Sequence, residues 1–205
     1  MTEKESIDKR HLRSMMTREK LLEAAKEVFV KEGYQKTTIS QIIKKAEVGY
    51  GTAYVYFEGK EDLLIVLMED VMQKFYQIAE TPFFPESTKA AEEIIQAQAY
   101  SFLKLAEKER AMLQVFHQAI GFSTAVADNW RKIQTKFIQR ISKDIAFSQQ
   151  KGLAYQGLNH GIVARAWFFM NEMYLWEIVR DENQATVEEI SKTISSIYTS
   201  GLYKL

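Results

Sequence analysis

Apolar residues recur along this chain at helical spacing, and that periodicity divides it into elements. Leu21, Leu22, Ala25, Val28 and Phe29 form a first stripe, which Gly33 ends as a C′ residue. Thr38 reads as the N-cap of the next helix, whose Ile39, Ile42 and Ile43 face inward. Gly49 and Gly51 flank Tyr50 and open a short segment, TAYVYF, that ends near Glu58-Gly59. Leu64, Leu67, Val71, Phe75 and Ile78 mark a long helix over about 60–79. Both prolines of the chain fall in the next stretch, TPFFPES, which predicts a linker with Ser87 capping the helix after it. That helix covers about 88–106, and a shorter one with Met112, Leu113, Phe116 and Ile120 ends at Gly121. Trp130, Ile133, Phe137, Ile141 and Ile145 line a helix over about 124–150, followed by the loop GLAYQGLNHG. The segment 162–179 is apolar almost all round, and Val187, Ile190, Ile194, Ile197 and Leu202 form the last stripe. No segment alternates as a strand would. The pattern therefore predicts an all-α fold of about nine helices, with no internal repeat.

Composition narrows the function classes. The 205 residues carry no cysteine, which excludes a disulfide scaffold, a thiolate zinc site and a cysteine nucleophile. The three histidines, His11, His117 and His160, are isolated, and no Glu-x-x-His or P-loop spacing exists. No metal, cofactor or catalytic group is expected. The first thirteen residues are polar and charged with no apolar segment behind them, so no secretory signal is read. The apolar run from Ala166 to Leu175 is far short of the roughly 20 residues that span a bilayer. A cytoplasmic protein is expected.

Four of the nine glycines lie between residues 33 and 59 and divide that stretch into three short helices. The second and third, joined by the tight link KKAEVGYG, read as a helix-turn-helix, in which the later helix enters the DNA major groove. Tyr50 and Tyr54 are i,i+4 neighbours on that helix, as are Thr52 and Tyr56, while Ala53 and Phe57 face another side and pack on the first helix. Gly51, without a Cβ, lets backbone approach DNA closely. Hydroxyls of Thr52 and the tyrosines can bind phosphate oxygens, and Lys60 adds a flanking charge. Packing alone is the preferred role for Phe57 and a DNA-facing role for Tyr54 and Tyr56; for Tyr50 both remain open.

The stretch TTISQIIKKAEVGYGTAYVYFEGKEDLL resembles the DNA-binding signature of the TetR/AcrR family of bacterial transcriptional regulators. Thr37, Thr38, Ile42, Ala46, Val48 and Gly51 match it, and so do Thr52, Tyr54, Tyr56, Phe57, Lys60 and Leu63. The resemblance implies phosphate contacts from Thr38, Thr52, Tyr54, Tyr56 and Lys60, and base-edge contacts from Ser40, Tyr50 and Gly51. Gly49, Tyr50 and Ala53 depart from the usual pattern, which leaves the operator sequence unread. It also implies a homodimer that binds double-stranded operator DNA.

Charge fits this division. The net charge is zero, yet residues 1–60 hold 12 Lys and Arg against 9 Asp and Glu, and the remainder is acidic by the same margin. Lys9, Arg10, Arg13 and Arg18 form the densest basic patch, so residues 1–13 are expected to be a flexible basic arm. Residues 14–74 are expected to form the DNA-binding domain with its connecting helix, the motif falling at about 37–57. Residues 75–205 are expected to form an effector-binding and dimerisation domain.

That larger region is rich in aromatic and methionine side chains. Phe102, Met112, Phe116, Trp130 and Phe137 are candidate walls of an apolar ligand cavity, joined by Trp167, Met170 and Tyr174. His117 and Asn171, with Gln98 and Gln114, are candidate polar fixtures. For any one of these taken alone, ordinary core packing is the preferred reading; as a group they can line a cavity. The segments 162–179 and 186–203 present more apolar surface than one small core can cover, which predicts a four-helix dimer interface. The resulting expectation is a homodimeric repressor released from its operator by a lipophilic or aromatic small molecule. An all-α enzyme acting on a hydrophobic substrate, and a helical interaction module without a ligand, are the alternatives.

Overall fold

A computed structural model describes residues 3–203, with side chains described from residue 11 onward. Among these residues the chain forms nine α-helices: α1 (Glu3–Lys36), α2 (Ile39–Ala46), α3 (Tyr50–Tyr56), α4 (Lys60–Ala79), α5 (Thr88–Lys108), α6 (Arg110–Ile120), α7 (Thr124–Gln150), α8 (His160–Arg180) and α9 (Val187–Leu202). Among the described residues, β pairing is limited to one antiparallel bridge, Ala154 with Tyr203. No helix among them is long and apolar enough to cross a membrane. The chain divides into two compact units, Met1–Asp70 with Val115–Ala127, and Val71–Gln114 with Asp128–Leu205. The first unit thus takes in the end of α6, which the sequence pattern assigned to the effector region.

In the first unit, α1 carries the stripe read from the sequence, and Leu21, Ala25 and Phe29 are fully buried. Gly33 interrupts its helical geometry at φ 76° and ψ 167°, a region open essentially to glycine alone. The backbone of the expected arm is helical from Glu3, while the side chains of Lys9 and Arg10 lie outside the described residues. Thr38 caps α2 as expected, in a reciprocal box: its hydroxyl accepts from Gln41 N at 3.3 Å and Gln41 Oε1 accepts from Thr38 N at 2.7 Å. Glu47 closes α2 at φ 54° and turns the chain toward α3. Ile42, Ile43, Leu63 and Leu64 join Phe29 in a core where each such side chain contributes about 1.5–3 kcal/mol.

In the second unit α5 packs against both α8 and α9, and α8 against α9. Asn159 caps α8, its side-chain oxygen accepting from Gly161 N at 3.0 Å and Ile162 N at 3.1 Å. Thr186 caps α9 through a second capping box with Glu189. The linker read from TPFFPES lies between α4 and α5, with Phe83 buried and Phe84 exposed. A buried polar knot joins α7 to α8: Trp130 Nε1 and Gln134 Nε2 each donate to Glu172 Oε1 at 2.8 Å.

Candidate functional site

The first unit presents α3 as an open face. Of its seven residues only Ala53 is buried. Phe57, just past the helix, is buried too, with the Arg18 guanidinium 5.6 Å from its ring centre. Those two side chains anchor α3, as their spacing predicts. Tyr50 is 55% and Tyr54 50% exposed, Thr52 is exposed as well, and so is Ser40 on α2. A Cβ built on Gly51 would meet nothing within 4 Å. The fold therefore makes no demand for glycine there. Thr38 is also exposed, at the start of α2.

Two of the expected contact residues are engaged inside the protein. Tyr56 is half-buried, and its hydroxyl donates to Ser14 Oγ at 2.9 Å, tying α3 to α1. Lys60 Nζ donates to the carbonyls of Tyr34 at 2.8 Å and Thr37 at 2.9 Å, and lies 4.3 Å from the Tyr34 ring centre. Burial lowers the Lys60 ammonium below the ordinary lysine range. It caps the carbonyls at the end of α1, where cations are favoured. Tyr34 is held in turn: its hydroxyl donates to Glu61 at 3.0 Å, and its N–H to Gln118 Oε1 at 3.2 Å.

The second unit contains a partly open cleft of about 70 Å³. Phe102, Phe137, Trp167 and Phe168 form its aromatic walls, and Asn171, Gln98 and Asp144 are its polar fixtures. The rings pack edge-on or stacked around Phe137, with centroids 6.0 Å to Phe102 and 5.8 Å to Phe168. Asn171 is buried, with Nδ2 donating to Trp167 O at 2.9 Å. The Asp144 carboxylate pairs with Arg140, and burial pushes its pKa above the usual carboxylate value.

Five of the twelve expected cavity residues, Phe102, Phe137, Trp167, Asn171 and Gln98, thus meet in one place, while Gln114 donates to Val179 O at 2.9 Å. The others stand elsewhere. Phe116 is a core residue of the first unit, where His117 is also found, exposed. Met112 is buried, and Trp130 binds Glu172. Tyr174 lines a separate, polar cleft with Glu177 and Arg180, and Met170 is half-buried on α8. Ile78, Ala79, Ile141 and Asp144 line the cleft without having been expected there. Ile78 and Ile141 sit on stripes that the sequence marked as core, and Asp144 gave no sequence signal.

On α8, Ile162, Ala166, Phe169 and Met173 remain exposed at helical spacing, Ile162 by 68%. Ile197 on α9 is 61% exposed.

An all-helical chain with an exposed second helix of a helix-turn-helix has the arrangement of a DNA-binding protein. The model of bacterial regulatory proteins of the tetR family matches residues 21–67. The model of the C-terminal domain of the transcriptional regulator EthR matches residues 94–204, more than half of the chain. The chain belongs to the TetR family of bacterial transcriptional regulators, and it is a regulator rather than an enzyme. It is similar to the fatty acid metabolism regulator protein of Bacillus subtilis, 22% identical over 89% of this chain and 94% of the relative. Two solved structures share its fold. SmeT in complex with triclosan has a TM-score of 0.77 at 17% identity, over 92% of each chain; SmeT is the repressor of a multidrug efflux pump of Stenotrophomonas maltophilia. NalD of Pseudomonas aeruginosa, a secondary repressor of a multidrug efflux pump, has a TM-score of 0.73 at 21% identity, over 94% of this chain and 98% of the other.

Proposed function

We propose that this chain is a homodimeric, ligand-responsive repressor acting in the cytoplasm, and that a lipophilic or aromatic effector releases it from a pseudo-palindromic operator. The observation that carries the reading is α3, which buries Ala53 and leaves Tyr50, Gly51, Thr52 and Tyr54 open. In this reading Tyr50 and Gly51, with Ser40, meet base edges, and Thr38, Thr52 and Tyr54 meet phosphates. Tyr56 and Lys60 support α3 from within, through Ser14 and the α1 carbonyls. The exposed apolar row of α8, with Ile197 on α9, supports a dimer through these helices, which gives two reading heads for half-sites roughly 34–36 Å apart. The aromatic cleft of the second unit is the proposed effector site, with Asn171 and Gln98 orienting the ligand. SmeT, which shares the fold, has been solved with triclosan. Helix α4 is continuous between the two units, so an effector that favours the DNA-incompetent state shifts the population through it.

Selection of DNA from a random library by the purified protein, followed by fluorescence anisotropy on the selected sequence, tests this. The expected result is sequence-specific, salt-sensitive binding that Thr52→Ala with Tyr54→Phe weakens at least tenfold, since each lost contact costs about 1 kcal/mol or more. Binding without sequence preference, or unchanged binding by the double variant, rejects the reading.

A further inference from the structure

The aromatic cleft does not end in neutral surface. A second cleft in the same unit shares two of its wall residues, Ala79 and Phe137, and is lined further by Tyr76, Lys136, Arg140 and Lys143. The three cations fall at i, i+4 and i+7 on α7, which places them on one side of that helix. Aromatic packing runs across the wall that the clefts share. The Phe137 ring lies 4.7 Å from that of Tyr76, and Lys136 Nζ lies 3.5 Å from the Tyr76 ring centre. Two carboxylates border the same space. Asp144 is joined to Arg140, and Glu80 is exposed on the rim. With Asp144 and Arg140 neutralising each other, Lys136 and Lys143 face Glu80 alone.

We infer that the effector is an amphipathic anion, such as a fatty carboxylate, whose apolar chain enters between Phe102, Phe137 and Phe168 and whose head meets Lys136 and Lys143. The inference rests on the cleft being the effector site and adds the chemical class of the ligand. An apolar ligand lacking charge fills the aromatic part and leaves the basic part to water. A cationic amphiphile brings its head to two lysines, where like charge opposes it. An anionic head finds hydrogen-bond donors of the right sign at the point where the aromatic wall ends.

Three ten-carbon probes separate these cases: decanoate, decan-1-ol and decyltrimethylammonium, titrated below micelle-forming concentrations while tryptophan emission is followed. Trp167 lines the cleft and supplies the signal. Decanoate is expected to bind about tenfold tighter than decanol, the sum of a few solvent-exposed charge contacts, and the cation more weakly than the alcohol. The preference for decanoate should shrink as salt is raised. In Lys136→Ala with Lys143→Ala the ratio of decanoate to decanol affinity should fall close to one. Lys132→Ala, an exposed position on α7 that lines neither cleft, should leave the ratio as it was. Should the double variant not fold, Lys143→Gln alone is expected to lower the ratio part-way. Decanol binding with no preference for the anion, an anion preference that survives loss of the lysines, or a cation bound as tightly as decanoate overturns this inference and leaves the effector site standing. Binding of none of the three overturns both.

Discussion

A methyl group added at Gly51 has free space in the protein itself, with nothing within 4 Å of the new carbon. Gly51 is the second residue of α3, and its backbone lies outside the left-handed region. Alanine is favoured over glycine in helices by up to about 1 kcal/mol, and less in a first turn, so Gly51→Ala is expected to stabilise the fold by about 0.5 kcal/mol. That corresponds to a rise in Tm of roughly 1–4 °C. The effect on DNA has the opposite sign. Where backbone at residue 51 abuts a base edge, a Cβ must displace the helix by several tenths of an ångström, and a direct base contact is worth about 1–3 kcal/mol. Operator binding should therefore weaken ten- to hundredfold while thermal stability rises. Differential scanning fluorimetry and fluorescence anisotropy on the same preparation read both quantities. Operator affinity equal to or above that of the parent chain refutes a close approach at Gly51, and a fall in Tm refutes the open environment of α3.

Three further outcomes are expected. Gly33→Ala puts a Cβ at φ 76°, 3.0 Å from Gln118 Oε1, and should cost about 2–3 kcal/mol in chemical denaturation, from backbone strain plus the contact; unchanged stability would contradict the kink. Lys60→Met removes the donor for the Tyr34 and Thr37 carbonyls and should cost about 1–2 kcal/mol, yet leave the salt dependence of operator binding unchanged; a slope reduced by about one would instead place Lys60 directly on a phosphate. Burial pushes Tyr203 up to about 12 from an ordinary 10.0, with its hydroxyl 3.1 Å from Ser148 Oγ. A raised folded pKa means that this contribution is complete below pH 10 and is lost as pH rises toward 12, about 3 kcal/mol in all. The drop in Tm over that window should be shallower in Tyr203→Phe, and an equally steep drop would remove Tyr203 as its source.

The helices were legible because their apolar stripes are local. Thr38 and Ser87 announced the starts of α2 and α5 in the sequence, and the structure shows both side chains capping. Ala53 and Phe57 were legible as anchors of α3 from spacing alone. What periodicity does not contain is the identity of the neighbour. Met112 and Phe116 share one stripe on α6, yet Met112 belongs to the second unit and Phe116 to the first. A stripe says that a face is buried, not in which core. Lys60 reads as a free flanking charge until the end of α1 is brought beneath it, 23 to 26 residues away in sequence. The cleft was only partly readable for the same reason: the stripe marked Ile141 as buried without saying against what, and nothing in the local sequence of Asp144 separates it from any other helical residue.

Helix α3 is held by one buried residue of its own, Ala53, by Phe57 beyond its end and by the Tyr56–Ser14 hydrogen bond. Its outer positions, including the 78% exposed Val55, carry almost none of the folding energy. Under the proposed function, substitutions there are filtered by DNA and hardly at all by stability. A lineage of such proteins can therefore change its target sequence in few steps, each passing through a folded intermediate, while the scaffold that senses the effector stays as it was.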